Sequence, residues 1–353
     1  MSAGSPPEPR LAHYQRWLKT ERGLTFADYD ALWRWSVSDL RGFWASIWDY
    51  FRIESPTPFS AVLDAERLPG AKWFGGAQVN LARQVFRHAD AAHAAGHPAI
   101  VFADEAMLAQ GRLRELSWPE LRAQVARFTA ALKAMGVHRG DRVCAVLPNT
   151  PQTIAVFLAV ASIGAIWSIC SPDMGPVAVL DRFRQIEPKV LVVCDGYTWG
   201  GVSYDRRAFV DELLASLPSL QHVVRGARID ALLADDASAP VQLEPDWLSF
   251  DHPLWIVYSS GTTGLPKPIV HGQGGILVEF LKSTLQNNLG ASVDTGDRFH
   301  WFSTTGWIMW NAQIAGLLAG TTVCIFDGSP GGASRAPDWT TLWRFAGELG
   351  VTF

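Results

Sequence analysis

One string of small, hydroxylated and basic residues carries the clearest chemistry in this sequence. Residues 258–275 read YSSGTTGLPKPIVHGQGG and follow a short apolar run at residues 254–257. Gly261 and Gly264 permit a left-handed backbone and close approach, so successive N–H groups can converge on an anion. Further donors would come from the side chains of Ser259, Ser260, Thr262, Thr263 and Lys267. Hydroxyls and a mobile ammonium group in one short loop favour the binding of phosphate oxygens.

A flexible polar turn between two strands is the alternative interpretation of this loop. The hydroxyls and the lysine at these spacings favour phosphate binding over such a turn. The string is not a Walker A loop, because Gly261 and Gly264 stand too close together and Lys267 follows a proline instead of a glycine.

A second block, TGWIMWN at residues 305–311, could form a small pocket. Gly306 would let another segment of the chain approach closely. Trp307, Ile308 and Met309 could wall off a slot that suits a short substrate better than a long one. Ordinary core packing at a strand-to-helix junction is the alternative for each of these residues.

Alternating strands and helices must position these two segments. From residue 97 onward, apolar runs predict strands at residues 98–102, 142–147, 165–169, 189–193, 255–258 and 321–326. Helical patterns separate them, and one opens on a capping box at Ser117 and Glu120. This order predicts parallel strands with right-handed crossovers, hence an α/β layered fold. The first sixty residues instead place aromatic side chains at near-helical spacing, up to a Ser-Pro-Thr-Pro break at residues 55–58.

Composition and charge exclude several classes of protein. A chain of 353 residues is long enough for about two domains. With 48% apolar and 18% charged residues, intrinsic disorder and a coiled coil are both disfavoured. A net charge of -4 without a local basic cluster argues against nucleic-acid binding. Cys144, Cys170, Cys194 and Cys324 lie far apart, which is typical of free thiols in a reducing compartment and not of zinc ligands.

Two segments bear on location. Residues 1–10 are polar and have no apolar stretch behind them, so we expect no secretory signal. Residues 153–170 carry no charge, but they contain Ser162, Gly164 and Ser168 and lack flanking basic residues. A buried helix followed by a buried strand is therefore expected in place of a membrane span. These observations predict a cytoplasmic protein.

Histidines offer two weaker candidates. His88, Asp90, His93 and His97 could suggest a metal cluster, but the alanine-rich surroundings favour a surface helix, and we predict no metal site. His271 follows the phosphate loop and could be either structural or close to a substrate.

The loop at residues 259–267 resembles the phosphate-binding signature of the adenylate-forming (acyl-CoA synthetase) superfamily. Two further segments, WFSTTGWIMWN at residues 301–311 and FWASIWDYF at residues 43–51, are similar to segments of its short-chain members, and in particular of those that activate acetoacetate. The resemblance extends over nearly the whole chain. It implies the parallel-sheet subdomains of the large domain of that superfamily, preceded by a helical cap.

The resemblance implies a two-step reaction. The carboxylate of an acid attacks the α-phosphate of Mg²⁺-bound ATP, giving an acyl-adenylate and pyrophosphate, and coenzyme A then displaces AMP to form a thioester. Residues 259–264 would hold the β- and γ-phosphates, with Thr262 and Thr263 closest, and Lys267 would neutralise pyrophosphate. Gly306, Trp307, Ile308 and Met309 would shape the acyl pocket. Acetate or propionate as the acid, and a non-catalytic nucleotide-binding module, are the alternatives.

The sequence also departs from the family pattern. No arginine stands in residues 195–203, where acetyl-CoA synthetases place arginines near coenzyme A. The ribose-anchoring aspartate and the adenylation lysine of the superfamily cannot be located by residue 353, and a β-type triplet at 351–353 suggests an incomplete protein. We therefore expect a cap at 1–60, a partial AMP-binding domain at 61–353, no lysine-bearing C-terminal domain, and little activity from this chain alone. The oligomeric state is left open.

Overall fold

The computed structural model describes residues 8–234, 242–259 and 264–353. The chain begins with three helices, α1 (Arg10–Arg22), α2 (Tyr29–Ser38) and α3 (Leu40–Tyr50). Side chains of Asp28 and Asp39 accept hydrogen bonds from backbone N–H groups in the first turns of α2 and α3, which stabilises these helix starts. The predicted helical N-terminal region is thus confirmed.

The remaining elements follow in chain order. Between the cap and residue 134 lie β1 (Ala61–Leu63), β2 (Trp73–Gly75), β3 (Gln78–Val79), α4 (Leu81–Phe86), α5 (Ala89–Ala94), β4 (Ile100–Asp104), α6 (Glu105–Ala109), β5 (Arg114–Leu116) and α7 (Trp118–Ala134). Next come β6 (Arg142–Val146), α8 (Pro151–Ser162), β7 (Ile166–Cys170), α9 (Pro176–Phe183), β8 (Val190–Val193), β9 (Gly196–Trp199), β10 (Val202–Asp205), α10 (Arg207–Ser216), β11 (His222–Arg225) and α11 (Ala227–Leu233). The last are β12 (Leu248–Ser249), β13 (Pro253–Ser259), β14 (Lys267–Gly272), α12 (Gln273–Gln286), α13 (Ser292–Thr295), β15 (Arg298–Phe299), α14 (Ile308–Ile314), a 3-10 turn (Ala315–Ala319), β16 (Thr322–Asp327) and α15 (Thr341–Leu349).

Two larger sheets organise the molecule. The six-stranded sheet has the order β11-β8-β6-β7-β13-β14, in which only β14 runs antiparallel to its neighbour. The four-stranded sheet has the order β15-β16-β4-β5, in which only β5 runs antiparallel. The parallel pairs joined through helices confirm the predicted α/β architecture. No strand is predicted from the sequence between the phosphate loop and the next helix, and the structure places β14 there.

The uncharged segment near residue 160 lies in the core. Nearly every residue of α8 is buried, and Trp167, Trp255 and Trp310 pack around its Phe157 with ring centroids 5.8–6.1 Å away. The expectation of a buried helix followed by a strand is confirmed by α8 and β7. Within the described ranges, no helix has both the length and the apolar character needed to cross a membrane.

The carboxyl ends of the two larger sheets meet at one cavity. Its walls include residues that directly follow β6, β7 and β16, or end them, among them Asn149, Asp173 and Asp327. In open parallel sheets, ligands bind at this edge because the loops that follow the strands converge there. The loops that follow β6, β7 and β16 therefore converge on one cleft.

Candidate functional site: the loop after β13 and the neighbouring cleft

A β-hairpin holds the two ends of the predicted phosphate loop. In this hairpin, Ser259 at the end of β13 pairs with Lys267 at the start of β14. Ser259, Gly264 and Lys267 are described, whereas Ser260, Gly261, Thr262 and Thr263 lie outside the described residues. The strand pairing brings a predicted hydroxyl donor and the predicted cation side by side at the carboxyl edge of the six-stranded sheet.

Helix α9 and the turn that follows it anchor the residues on both sides of the loop. The hydroxyl of Tyr258 donates to the carbonyl of Arg182 at 2.9 Å, and Nε2 of Gln185 donates to the carbonyl of Pro266 at 2.9 Å. The Arg182 guanidinium also lies 5.6 Å from the centre of the Tyr258 ring. Burial raises the pKa of Tyr258, so its hydroxyl remains a donor at neutral pH. The bases of the loop are thus fixed by contacts outside it.

Lys267 is available for an anionic ligand. Its side chain is exposed and makes no hydrogen bond or ion pair with any other described residue. A lysine held at its backbone but unpaired at its ammonium group can neutralise a phosphate without first breaking a salt bridge. Its role in neutralising pyrophosphate stays a prediction.

Gly264 behaves differently from the expectation. Its backbone is not left-handed, and a Cβ at this position would meet no described atom within 4 Å. Among the described residues, neither backbone conformation nor crowding therefore requires a glycine at position 264.

The adjoining cleft contains a half-buried carboxyl group at Asp327. The backbone N–H of Asn149 donates to its Oδ1 at 3.0 Å. Burial, with repulsion from Asp104 and Glu105, raises the pKa of Asp327 to about 6, against the opposing effect of the Asn149 hydrogen bond. A carboxyl group in this state changes its charge within reach of neutral pH, at the wall of the cleft.

Asn149 ties the two sheets to α14. Its Nδ2 donates to the carbonyl of Phe326 on β16 at 3.2 Å, and its Oδ1 accepts from Nε1 of Trp310 at 3.0 Å. Asn149 itself follows β6 and is 5% exposed. One buried carboxamide thus fixes the position of the helix that carries the predicted acyl pocket.

Glu105 fixes the opposite rim of the cleft. Its carboxylate accepts backbone hydrogen bonds from Gly200 at 2.7 Å, Gly201 at 2.6 Å and Ser329 at 2.7 Å. The two glycines form the turn of the β9–β10 hairpin, which sequence reasoning missed. A Gly-Gly pair flanked by alternating aromatic and apolar residues was the available signal.

Two of the four residues predicted for the acyl pocket line one cavity of the structure. Gly306 and Trp307 line a small cavity, referred to below as the acyl cavity. A Cβ on Gly306 would lie 3.1 Å from the Ser171 backbone nitrogen, a tight contact that favours glycine. Ile308 and Met309 are half-buried on α14 but do not line the cavity.

Sequence reasoning missed most of the acyl cavity wall. Its other lining residues come from β7, α9, β13 and the neighbourhood of α14, namely Trp167, Ile169, Arg182, Trp255, Ile256, Val257, Tyr258, Thr305 and Asn311. They come from segments far apart in the chain, so no local spacing in the sequence connects them.

The structure assigns His271 a packing role. Its Nδ1 accepts a hydrogen bond from Nε1 of Trp255 at 2.8 Å. Burial lowers the pKa of His271, which keeps the ring neutral and its Nδ1 able to accept.

His88 and Asp90 contact different partners. His88 is bonded through Nε2 to the carbonyl of Leu318 at 3.0 Å, and burial lowers its pKa to about 4. Asp90 instead pairs with Arg122 at 3.0 Å. Across the described ranges, no group of three or more His, Cys, Asp or Glu side chains is placed to hold a metal ion.

Comparison with known families identifies the family to which this chain belongs. The model of the AMP-binding enzyme family matches residues 86–353. The chain belongs to the AMP-binding enzyme family. The model of the acetyl-coenzyme A synthetase N-terminus matches residues 29–85, so both parts of this AMP-binding chain have counterparts in known synthetases.

Relatives of this AMP-binding chain are named acetoacetyl-CoA synthetases. It is 39% identical over 348 residues to an acetoacetyl-coenzyme A synthetase of Rhizobium meliloti (strain 1021), covering 95% of this chain and 51% of that protein. It is 34% identical over 369 residues to the acetoacetyl-CoA synthetase of Rattus norvegicus, covering 99% and 53%. The chain spans about half the length of the curated relatives it matches.

A solved structure confirms the fold. The acetoacetyl-CoA synthetase from Streptomyces lividans superposes with a TM-score of 0.88 at 43% identity, over 98% of this chain and 53% of that one. The expected large-domain fold of the adenylate-forming enzymes, with a helical region in front of it, is therefore correct.

Proposed function

We propose that this chain forms the phosphate- and acid-binding part of an acetoacetate–CoA ligase. In the proposed reaction, the carboxylate of acetoacetate attacks the α-phosphate of ATP, and the bond to the leaving pyrophosphate breaks. The thiol of coenzyme A then attacks the acyl carbon of acetoacetyl-AMP, and AMP leaves as the thioester forms. Relatives named acetoacetyl-CoA synthetases support this assignment.

One observation carries the proposal: consecutive residues at the end of β13 contribute to the acyl cavity and to the predicted phosphate loop. Tyr258 lines the acyl cavity, and the next residue, Ser259, is the strand partner of Lys267, whose ammonium group bonds to no other described residue. A carboxylate in the cavity and a phosphate chain at the loop would thus meet at the end of one strand. Holding two reactants together in this way supplies much of the catalysis in group transfer.

The residues fit a polyphosphate by the chemistry of their donors. The proposed phosphate-binding set is Ser259, Ser260, Gly261, Thr262, Thr263, Gly264 and Lys267. Of these, Thr262, Thr263 and Lys267 would act on the reacting phosphates, because hydroxyl and ammonium donors stabilise charge that moves onto the leaving group. Magnesium, bound with ATP, would supply further charge neutralisation. We assign no protein residue to it.

The identity of the acid is open to a direct assay. Pyrophosphate exchange, measured with acetoacetate, acetate and propionate on the complete enzyme, should be fastest with acetoacetate. A preference for acetate or propionate would replace acetoacetate with the alternative acid and leave the reaction class intact.

A non-catalytic nucleotide-binding module is the rival proposal, because the chain matches only half of each relative. The genomic sequence after codon 353 discriminates between the two. An in-frame continuation supports the ligase, and a stop codon supports the module.

We predict that the 353-residue chain alone does not form the adenylate. The ribose-anchoring aspartate and adenylation lysine implied by the family resemblance were not located in its sequence. Rapid-quench analysis of a single turnover, with the chain in excess over radiolabelled ATP and with acetoacetate present, should show no acetoacetyl-AMP. Formation of the adenylate on this chain would contradict the prediction.

The proposal also includes a cytoplasmic location. It further includes a boundary near residue 60 between the helical cap and the AMP-binding domain. The thiols support a reducing compartment, because all four cysteines are unpaired and burial raises the pKa of both Cys170 and Cys324 to about 12. Such buried thiols stay protonated and resist oxidation.

A further inference from the structure

A cavity lies where the N-terminal helices meet the rest of the chain. Its walls come from α1, the end of α3, α4 and the segment around α13, and its volume is about 340 Å³. Sites for small molecules have volumes of roughly 300–1,000 Å³. This cavity, referred to below as the cap cavity, shares no lining residue with the cleft or with the acyl cavity. It is therefore large enough for a ligand of its own.

Three arginines make the cap cavity electropositive. They are Arg10, Arg52 and Arg87. Among the described residues that line it, Asp294 is the only carboxylate. The two histidines of its wall add no charge at neutral pH, because burial lowers the pKa of both His13 and His88. The lining thus carries a surplus of two positive charges, in a chain whose net charge is -4.

No described carboxylate forms an ion pair with any of these three guanidinium groups. The side chains of Arg10 and Arg52 also make no hydrogen bond to a described residue, and Nε of Arg10 is buried. Nη1 of Arg87 donates to the carbonyls of Phe51 and Arg52, each at 2.8 Å. Burial lowers the pKa of Arg87, against the opposing effect of Glu54. A buried positive charge of this kind is stabilised by a counter-ion, which an anion in the cap cavity would supply.

Arg52 occupies a position at which glycine is the usual residue. It lies just beyond α3 with a φ of 49°, and the next N–H, that of Ile53, donates to the carbonyl of Trp48 at 3.1 Å. Helices commonly end on a glycine in this left-handed geometry, because a Cβ is unfavourable there. The exposed side chain of Arg52 makes no described contact that offsets this cost. Binding of a ligand accounts for an arginine at this position, since backbone strain is concentrated at functional sites.

A phosphate monoester fits the charge and the shape of these groups. It carries a charge of roughly -1.5 to -2 at neutral pH, which matches the surplus of the lining. Planar guanidinium groups bind phosphate oxygens through paired N–H donors. The rings of Trp17 and Tyr50 line the same cavity and offer an apolar surface to the organic part of such a ligand.

We propose that the cap cavity binds a phosphate monoester, with Arg10, Arg52 and Arg87 holding the phosphate group. This inference goes beyond the proposed function and does not depend on it, because the cap cavity is separate from the acyl cavity and from the loop after β13. A ligand bound there would contact the N-terminal helices and α13 together, so binding would stabilise the packing between them.

The first test reads the cap cavity at single residues. Phenylglyoxal modifies accessible guanidinium groups, and peptide mass spectrometry gives the modification rate of each arginine in the 353-residue chain. Saturating phenyl phosphate should slow the modification of Arg52 by roughly tenfold or more, since an occupied site does not react. Benzoate at the same ionic strength should protect Arg52 little, and inorganic phosphate should protect it less than phenyl phosphate does. Arg112 is the internal reference, because it is exposed and does not line the cap cavity.

The outcomes of this test are independent of the proposed function, because the rate is measured at each arginine and binding at the loop after β13 cannot imitate it. Absence of protection at Arg52, equal protection by benzoate, or equal slowing at Arg112 would overturn the proposal. Equal protection by inorganic phosphate would overturn the monoester and leave a site for free phosphate.

The second test separates binding from a structural role of Arg52. Calorimetric titration of phenyl phosphate is done in the chain carrying Thr262→Val and Thr263→Val, which removes hydroxyl donors of the other predicted phosphate site. Adding Arg52→Gly should weaken binding about tenfold or more, because a charge-assisted hydrogen bond is lost. Its urea unfolding midpoint should stay the same or rise, because glycine adopts this φ without strain. Arg112→Gln removes the same charge and should change neither quantity. A lower midpoint with unchanged affinity for phenyl phosphate would assign Arg52 a structural role and contradict the proposal.

Discussion

At the scale of single residues, Asp327 has the most unusual environment among the carboxylates of the cleft. It ends β16 and accepts one hydrogen bond from the Asn149 backbone, while Asp104 and Glu105 add negative charge nearby. Its pKa is raised to about 6, mainly by burial. The folded protein therefore holds a proton at Asp327 more tightly than the unfolded chain does, and protonation favours folding.

Asp327→Asn should change the pH dependence of stability in a defined window. As pH rises from about 4 to about 6, the folded wild-type protein must give up a proton that the unfolded chain has already released. Its free energy of unfolding should therefore fall relative to that of the asparagine variant, and the gap should stay constant above that window. Urea unfolding at a series of pH values measures the gap, with the exposed Asp30→Asn as control. A gap independent of pH would show that the pKa of Asp327 is not raised.

At the scale of secondary-structure elements, the rim of the cleft depends on one carboxylate. The β9–β10 hairpin is short and largely exposed, so its own ladder contributes little to its position. Glu105 holds its Gly200-Gly201 turn and also binds the N–H of Ser329, and the N–H of Ser334 donates to the Gly200 carbonyl at 2.8 Å. The hairpin and the loop before α15 are therefore expected to move together.

Glu105→Gln should loosen both segments while leaving the sheets intact. At least one of the three backbone donors would then face the amide NH₂ of glutamine in place of an oxygen, so a hydrogen bond is lost and two donors oppose each other. Hydrogen exchange at Gly200, Gly201 and Ser329 should accelerate by roughly tenfold to a hundredfold. NMR-detected exchange measures this directly, and Glu115→Gln, whose side chain is 59% exposed, is the control. Unchanged exchange at all three amides would remove Glu105 from this role.

At the scale of the whole molecule, the N-terminal helices and the sheets share one hydrophobic core. Trp48 of α3 stacks on Phe74 with ring centroids 4.8 Å apart, and Phe74 in turn lies 4.8 Å from Phe250 near β12. Tyr14 and Leu18 of α1 belong to the same buried cluster as Leu281 of α12. A shared core of this kind predicts that the two parts unfold together, wherever the family boundary between them falls.

Trp48→Ala should therefore destabilise the entire described structure. Removing a 7%-exposed indole from this aromatic cluster should lower the free energy of unfolding by about 3–5 kcal/mol, because a cavity remains. Denaturant unfolding followed by far-UV circular dichroism should keep a single transition at a lower midpoint. Trp33→Ala, at a 53%-exposed ring, should have little effect. A second, separate transition for the helices would contradict a common core.

Features encoded locally could be predicted from the sequence. The capping box at Ser117 and Glu120 is present at the start of α7, and the apolar segment after Pro151 is the buried helix expected there. Residues 259–267 do connect a core strand to the next element at the carboxyl edge of a parallel sheet. In each case, neighbouring residues alone determine the local structure.

Features that depend on distant partners could not be predicted. Glu105 bonds to residues 95 and 224 positions away, and Trp167 meets Asn311 at the acyl cavity only through the fold. The motif at residues 305–311 predicts Ile308 and Met309 as pocket residues, yet Trp307 and Asn311 are the residues near the start of α14 that line this cavity. Periodicity indicates that α14 has a buried face. It does not tell which residues of that face line a cavity and which pack against another segment of the chain.

The central claim is that the loop between β13 and β14 binds the phosphates of ATP, and calorimetric titration of ATP into the 353-residue chain tests it most directly. We expect Thr262→Val combined with Thr263→Val to weaken ATP binding at least about tenfold, since charge-assisted hydrogen bonds to phosphate are lost. Thr20→Val, at an exposed threonine of α1, should bind ATP as the wild-type chain does. Equal ATP affinity for the wild-type chain and the double variant would contradict the assignment of this loop.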